Sequence, residues 1–255
     1  MTKILKCDKL NKYYVTGKSN RYHALKDVTV SIEKGEFVSV MGPSGSGKST
    51  FLYNISGMDR ADSGSILFSS KAIDTMKEEE LASVRLSQMG FVFQQSNLLK
   101  NLNILDNIIL TAYLNKKESR GSIRKKALLL MEKTGVLHIA DKDITEASGG
   151  ELQRASICRA LINDPPMLFA DEPTGALNSQ AAAEVMNILN KINQDGTTIL
   201  LVTHDAKVAA RTERVLFMRD GMIVSEIGLG KYAGPGKGKA GREAKLSEWL
   251  AGLGF

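Results

Sequence analysis

The chain has 255 residues, 43% of them hydrophobic and 24% charged, and its formal net charge at pH 7 is +6. This composition is typical of a globular protein with a substantial core, and the positive charge favours a nucleotide, a nucleic acid or an anionic membrane surface as partner. The two cysteines, Cys7 and Cys158, lie far apart without metal-like spacing. This arrangement argues against a disulfide scaffold and predicts a reduced, cytoplasmic compartment.

The start of the chain and its longest apolar run argue against a signal peptide and a membrane-spanning helix. Residues 1–8 carry charges where a signal peptide needs an apolar stretch. The best candidate for a span, residues 104–114, is interrupted by Asp106 and Asn107 and falls short of the roughly 18 apolar residues required. If the protein acts at a membrane, we expect another chain to supply the membrane part.

The first predicted elements are strands. Residues 1–35 predict antiparallel strands, because apolar and polar residues alternate as far as Ile32 and a turn follows. A short apolar strand at 37–41 then leads into a glycine-rich run.

The central part of the chain predicts a parallel sheet and a helical insert. Apolar strands at 167–170 and 198–203 are separated by a helix-like stretch at 180–193, and strand-helix-strand order is typical of parallel sheets. Residues 96–163 are mostly helical in pattern, with the longest periodic stretch at 123–134.

The C-terminal part begins with a hairpin pattern. Asp220-Gly221 separates two short apolar runs, as in two-residue hairpin turns. Beyond Ile227, glycines and lysines predict a flexible linker, which leads to a short amphipathic segment at 243–253.

The glycine-rich run matches G-x-x-x-x-G-K-[ST] in full, after a strand and before an apolar helix start. Its residues are Gly42, Pro43, Ser44, Gly45, Ser46, Gly47, Lys48 and Ser49, followed by Thr50. Such glycines let backbone N–H groups converge on phosphate oxygens at a helix N-terminus. We expect Lys48 to neutralise the β- and γ-phosphates and the Ser49 hydroxyl to bind Mg²⁺. The alternative is a flexible turn that contains a lysine.

Two carboxylates end the strand at 167–170. Parallel strands end at the ligand-binding edge of a sheet, so Asp171 is a candidate for the Mg²⁺ shell and Glu172 for the general base that activates water. Without the phosphate-binding run, a solvated acidic pair ahead of Pro173 would explain them equally well.

A histidine leaves the other predicted parallel strand. His204 follows Thr203 and is therefore expected at the same edge, where it could hold the attacking water or the leaving phosphate. Taken alone, it would be a structural loop residue.

Together with the segment 148–154 (Ser-Gly-Gly-Glu-Leu-Gln-Arg), these motifs resemble those of the ABC ATPase family, in the family's order. The resemblance covers roughly residues 4–225. It implies that Gln94 is the glutamine that links Mg²⁺ to the helical insert and contributes to catalysis, and that Tyr14 stacks on adenine. Tyr13 is the rival for the stacking role. Residues 175–178 resemble the family's D-loop.

The signature segment has two compatible explanations. Ser148 and Glu151 match a capping box, with the serine as N-cap and the glutamate at the third helical position. That pattern leaves Gly149 and Gly150 unexplained, since glycine weakens a helix by up to about 1 kcal/mol relative to alanine. Both glycines are explained if a phosphate approaches the helix N-terminus. By the resemblance, that phosphate belongs to ATP held by a second copy of the chain.

This sequence departs from the family pattern in the signature and in the D-loop. Ala147 and Glu151 stand where leucine and glutamine are common, and Asn178 replaces the usual aspartate. Because Lys48, Glu172 and His204 are all present, we expect slower or more tightly gated hydrolysis rather than its loss.

The resemblance implies an α/β fold: a P-loop NTPase (RecA-like) core with an N-terminal antiparallel β-subdomain and an inserted α-helical subdomain. We expect an ATPase domain at 1–227, with the insert at about 96–163, and a linker with a short helical segment at 228–255. ATP and Mg²⁺ are the implied cofactors.

Short strings such as residues 90–94 and 171–177 resemble macrolide and lipoprotein-releasing exporters. The tail resembles the bacitracin-type antimicrobial-peptide resistance members most closely. The implied partners are a membrane permease, a second copy and, through the permease, a histidine kinase, with the chain peripheral on the cytoplasmic side of the membrane. A motor or sensory module without transport shares every motif. A nucleic-acid partner is not expected, because such members usually have tandem ATPase halves or long coiled-coil inserts.

Overall fold

The computed structural model describes residues 2–16, 20–234 and 239–255. In chain order the strands are β1 (Lys3–Thr16), β2 (Asn20–Glu33), β3 (Phe37–Met41), β4 (Ser63–Phe68), β5 (Lys71–Ala72), β6 (Met89–Phe93), β7 (Met167–Asp171), β8 (Thr198–Val202), β9 (Arg214–Arg219) and β10 (Met222–Gly228). The α-helices are α1 (Lys48–Ile55), α2 (Glu78–Gln88), α3 (Ile104–Asn115), α4 (Arg120–Lys133), α5 (Gly149–Leu161), α6 (Ser179–Gln194), α7 (Ala206–Ala209) and α8 (Lys239–Gly252).

Two sheets organise the described residues. The N-terminal sheet is antiparallel where its register is defined, with strand order β2-β1-β4-β5. The second sheet has the order β10-β9-β3-β8-β7-β6, and its strands are parallel except β10, which forms the predicted hairpin with β9. Every residue of β3, β7 and β8 is buried, as expected for central parallel strands covered on both faces.

The segment between β6 and β7 is helical and has an apolar core of its own. Helices α3, α4 and α5 pack around buried side chains that include Ile108, Ala127 and Ile139. The structure confirms the predicted fold class, an α/β core with an antiparallel β-region and an inserted helical region.

Residues 229–230 differ from the predicted flexible linker, whereas the predicted C-terminal helical segment is present as α8. The backbone N–H groups of Leu229 and Gly230 donate to the carbonyl of Glu213, so the chain stays against the domain after β10. Helix α8 buries Leu246 and Leu250 in a cluster with Phe217 of β9. Burial of two leucines is worth about 3–6 kcal/mol, which favours this docking over a free tail. The linker prediction for residues 235–238 lies outside the described residues.

The topology brings three chain segments to one edge of the parallel sheet. Strand β8 lies between β3 and β7, so the residues that follow these three strands are neighbours in space. These are the glycine-rich run after β3, Asp171 and Glu172 at the end of β7, and His204 after β8.

Candidate functional site

The glycine-rich run forms a tight loop that ends in an uncapped helix. Helix α1 has Gly47 as N-cap in the left-handed region, at φ 98°, and receives no side-chain cap hydrogen bond. A Cβ at Gly47 would lie 2.7 Å from the carbonyl oxygen of Ala24, and one at Gly42 would lie 2.0 Å from that of Met218. The loop therefore requires glycine at both positions, and the N–H groups of the first turn of α1 receive no side-chain cap.

Lys48 lies beneath this loop, buried. Its Nζ donates to the carbonyl oxygens of Gly42 (2.9 Å) and Pro43 (2.8 Å). Burial lowers the pKa of Lys48, while the nearby carboxylates of Glu172 and Asp171 act in the opposite direction. The ammonium is thus positioned at the loop for an anionic ligand.

Asp171 is held from both sides by residues of α1. The Ser49 hydroxyl donates to Oδ1 at 3.0 Å, and the Tyr53 hydroxyl donates to Oδ2 at 2.7 Å. Burial first, and then the contact with Asp171, raises the pKa of Tyr53 to about 12, so its hydroxyl remains a donor at neutral pH. The sequence pattern did not point to Tyr53.

Glu172 and His204 face each other across the end of the sheet. Glu172 has φ 46°, a left-handed conformation that is uncommon and costly for a residue other than glycine. Its backbone N–H donates to the carbonyl of Val202, and its Oε1 lies 3.1 Å from Nδ1 of His204. The side chain of His204 is 63% exposed and so is accessible to a ligand.

Glu172, His204 and part of the glycine-rich loop line a cavity of about 780 Å³. The lining consists of Tyr22, Ala24, Ser44, Gly45, Gly47, Lys48, Ser49, Thr50, Glu172 and His204. An ammonium, two glycines and an uncapped helix N-terminus form one wall, and a carboxylate paired with an imidazole forms another. This arrangement can bind a polyphosphate and activate a water molecule beside it.

Gln94 lies next to Glu172 but outside this lining. A Cβ placed on Gly175 would meet Gln94 Nε2 at 2.9 Å and Glu172 Oε2 at 3.2 Å. The two side chains therefore flank Gly175, and the absence of a Cβ at that residue permits the approach.

Three tyrosines lie near the hairpin of β1 and β2. The Tyr14 hydroxyl donates to Asp59 at 2.9 Å, whereas the Tyr13 ring stacks on His23 at 4.1 Å. Tyr22 is the cross-strand partner of Tyr14, and its hydroxyl donates to the Gly45 carbonyl at 3.2 Å. Tyr22 lines the cavity and Tyr14 does not. The sequence pattern did not point to Tyr22, because its position at the cavity depends on the register of β1 and β2.

The signature segment forms the predicted capping box. The Glu151 N–H donates to Ser148 Oγ at 3.4 Å, while the Ser148 N–H (2.8 Å) and hydroxyl (2.6 Å) donate to Glu151 Oε2. His138 Nε2 lies 2.7 Å from Glu151 Oε1. The Ser148 hydroxyl and N–H, followed by His138, lower the pKa of Glu151 to about 2, so its carboxylate is ionised at neutral pH.

This segment borders a second cavity of about 470 Å³. Its lining is Ser148, Gly149, Gly150, Glu151, Arg154, Ala176, Leu177, Asn178, Gln180, Ala181 and Glu184. None of these residues lines the first cavity. Within one chain, the signature segment and the glycine-rich loop therefore form separate sites.

Helix α5 connects the second cavity to the loop after β6. Gln153 Nε2 donates to the Phe93 carbonyl at 2.8 Å. Arg159 donates to the carbonyls of Ser96 and Asn97, both at 2.7 Å. The helix that begins with the signature thus holds the segment that contains Gln94. The sequence pattern did not point to Gln153 and Arg159, because their roles depend on contacts about 60 residues away along the chain.

A family model described as ABC transporter matches residues 25–175. The chain belongs to this family. This ABC ATPase is 41% identical over 225 residues to the bacitracin export ATP-binding protein BceA of Halalkalibacterium halodurans, covering 88% of both chains. It is 42% identical over 224 residues to the macrolide export ATP-binding/permease protein MacB of Neisseria meningitidis, covering 88% of this chain but only 34% of MacB.

A solved structure similar to this ABC ATPase is the dimeric post-hydrolysis state of the ATP-binding cassette MJ0796, bound to ADP and Pi. The TM-score is 0.83 and the identity 38%, and the match covers 88% of this chain and 98% of that one. The family match confirms the resemblance to ABC ATPases predicted from the motifs, and ATP is the ligand of this chain. No helix of the described residues is long and apolar enough to span a membrane.

Proposed function

We propose that this chain hydrolyses ATP in the first cavity and that the second cavity completes the same site on a second copy. The observation that carries the proposal is the separation of the two cavities within one chain. A helix N-terminus with adjacent glycines can bind phosphate through its backbone N–H groups. The N–H groups at Ser148 to Gly150 cannot reach a phosphate held by the glycine-rich loop of the same chain, because the two segments line separate cavities. Two copies in head-to-tail contact would place each signature opposite the other's Lys48. The dimeric relative supports this arrangement.

The residues of the first cavity divide the chemistry among them. Lys48 and the N–H groups of α1 bind the phosphates, and Glu172 accepts a proton from the attacking water. Oxygen of that water bonds to the γ-phosphorus while the bond to the bridging oxygen of ADP breaks. His204, beside Glu172, holds the water or the leaving phosphate.

The donor set fits Mg²⁺. Ser49 Oγ and Asp171 Oδ1 are hard oxygen atoms 3.0 Å apart, and Mg²⁺ in such sites typically takes few protein ligands and completes its shell with phosphate and water. We assign Ser49, Asp171 and Gln94 to this ion. When bound, it neutralises charge on the β- and γ-phosphates.

We further propose that the chain drives a membrane permease, held at the cytoplasmic face of the membrane through that partner. The docking surface lies on the segment from Gln94 to Leu99, which Arg159 ties to α5. Leu99 is 46% exposed at its end, as an apolar contact for a permease helix would be. Movement around Gln94 would then reach the partner through α5.

We propose that the substrate is an antimicrobial peptide and that a histidine kinase is a further partner, contacted through the permease. The peptide proposal is supported by the similarity to a bacitracin export protein over most of both chains. The experiment is reconstitution with the co-purifying permease in vesicles, with ATPase rates measured at increasing peptide concentration. We expect bacitracin-like peptides to change the rate. A response to a macrolide alone would contradict the peptide proposal and leave the exporter proposal intact.

A further inference from the structure

Tyr53 and Ser49 divide the carboxylate of Asp171 between them. Both residues belong to α1 and are four positions apart, which places them on one face of the helix. Ser49 donates to Oδ1 at 3.0 Å and Tyr53 to Oδ2 at 2.7 Å. No other side chain of the described residues donates a hydrogen bond to this carboxylate.

We propose that Tyr53 is a positioning residue that orients Asp171 for Mg²⁺ bound together with ATP. The inference rests on the proposed function of the first cavity. Tyr53 is not among the residues that line that cavity, so it acts through Asp171 rather than on the nucleotide.

Asp171 needs a second hydrogen-bond donor because a carboxylate rotates easily about its terminal bond. Rotation about the terminal bond of an aspartate is broad and roughly two-fold, so one hydrogen bond leaves its plane poorly defined. If Mg²⁺ were bound, Ser49 and Asp171 would hold it, and Tyr53 would remain as a hydrogen-bond donor that fixes the orientation of the Asp171 carboxylate. Such outer partners are worth about 10- to 100-fold in metal affinity.

The ring of Tyr53 is fixed independently of this contact. It is half-buried and packs against the core cluster that contains Phe51 and Leu52, both of which are almost fully buried. Removal of the hydroxyl alone should therefore leave α1 in place. A variant that lacks only the hydroxyl can therefore distinguish an orienting role of Tyr53 from a structural one.

The test is Tyr53→Phe in the full chain, with ATP binding measured by calorimetry in EDTA and at increasing Mg²⁺. We expect the Mg²⁺ concentration for half-maximal tightening of ATP binding to rise about tenfold, the lower end of the range for outer metal partners. Affinity for ATP in EDTA should be unchanged. Tyr113→Phe, in α3, is the matched control and should behave as the wild type.

Other outcomes separate this inference from the proposed function. A Tyr53→Phe variant that needs no more Mg²⁺ than the wild type, or that loses ATP affinity equally in EDTA, would overturn the orienting role. If that variant unfolds, Tyr53→Met removes the same donor and must show the same Mg²⁺ requirement. Ser49→Ala tests the metal site itself, and Mg²⁺ should tighten ATP binding less in this variant than in the wild type. If Mg²⁺ tightens ATP binding in neither protein, the proposed function fails, and the result does not bear on Tyr53 alone.

Discussion

Helices α1 and α5 both have glycine at their N-terminal end, since Gly47 is the N-cap of α1 and Gly149 is the first residue of α5, yet the two N-termini are capped differently. Helix α1 follows Gly47 and has no side-chain cap, whereas α5 is closed by Ser148 and Glu151, with His138 on the outer carboxylate oxygen. The first arrangement leaves backbone donors for a ligand, and the second occupies one of them within the chain. Under the proposed function, the terminus of α1 holds phosphate and that of α5 meets ATP brought by another copy.

Lys48→Ala should cause the largest loss, because it removes the buried ammonium that lies at the glycine-rich loop before α1. Both the ground state and the transition state of phosphoryl transfer use this charge, so we expect turnover to be abolished. Steady-state ATPase assays check this, with Lys71→Ala in β5 as the control lysine. Substantial turnover by the Lys48 variant would show that the open helix terminus suffices on its own.

Tyr14→Ala should mainly raise the KM for ATP, since stacking on adenine contributes uniform binding. Loss of about 1–3 kcal/mol corresponds to roughly a 5- to 150-fold increase. Comparison with Tyr13→Ala and Tyr22→Ala sharpens the assignment, because Tyr22 lines the cavity. If Tyr14→Ala leaves the KM unchanged while Tyr13→Ala or Tyr22→Ala raises it, Tyr14 is the wrong tyrosine.

Asn178→Asp tests whether the missing D-loop charge slows turnover. Asn178 caps α6 by accepting from the Ala181 N–H at 2.9 Å, and aspartate caps equally well, so the fold should be preserved. An exposed charge interaction is worth at most about 1 kcal/mol, so we expect up to about a fivefold faster rate in the assembled complex. An unchanged or slower rate would mean that asparagine is compensated locally.

Removal of the Ser148 cap of α5 should produce the smallest effect of these changes, a decrease in the free energy of unfolding. Ser148→Ala should cost about 1 kcal/mol of unfolding free energy. The folded pKa of Glu151, about 2, lies below its ordinary value of 4.5, so its stabilising contribution is complete above about pH 4.5 and is lost as pH falls towards 2. The unfolding free energies of the wild type and Ser148→Ala, measured by denaturant melts, should therefore converge as pH falls over that interval. A difference in unfolding free energy that does not depend on pH would contradict the role of the ionised Glu151.

Local patterns predicted some parts of the molecule and could not predict others. The loop from Gly42 to Ser49, the apolar central strands and the capping box at Ser148 depend on neighbours in sequence, and the structure contains all three. The contact of Tyr53 with Asp171 joins residues 118 apart along the chain. Its formation depends on the alignment of α1 with β7, which no short motif encodes. The docking of α8 is similar, because Leu246 and Leu250 show an apolar face but not the surface that receives it.

The most direct test of the two-copy site is the oligomeric state of Glu172→Gln in ATP. Loss of the general base should reduce turnover by about 10²- to 10⁴-fold, so ATP should persist between two copies. Analytical ultracentrifugation should show a dimer with ATP and a monomer without it, and Gly150→Asp on the same background should abolish the dimer. A Glu172→Gln protein that stays monomeric at saturating ATP, or that hydrolyses ATP at the wild-type rate, would contradict the account.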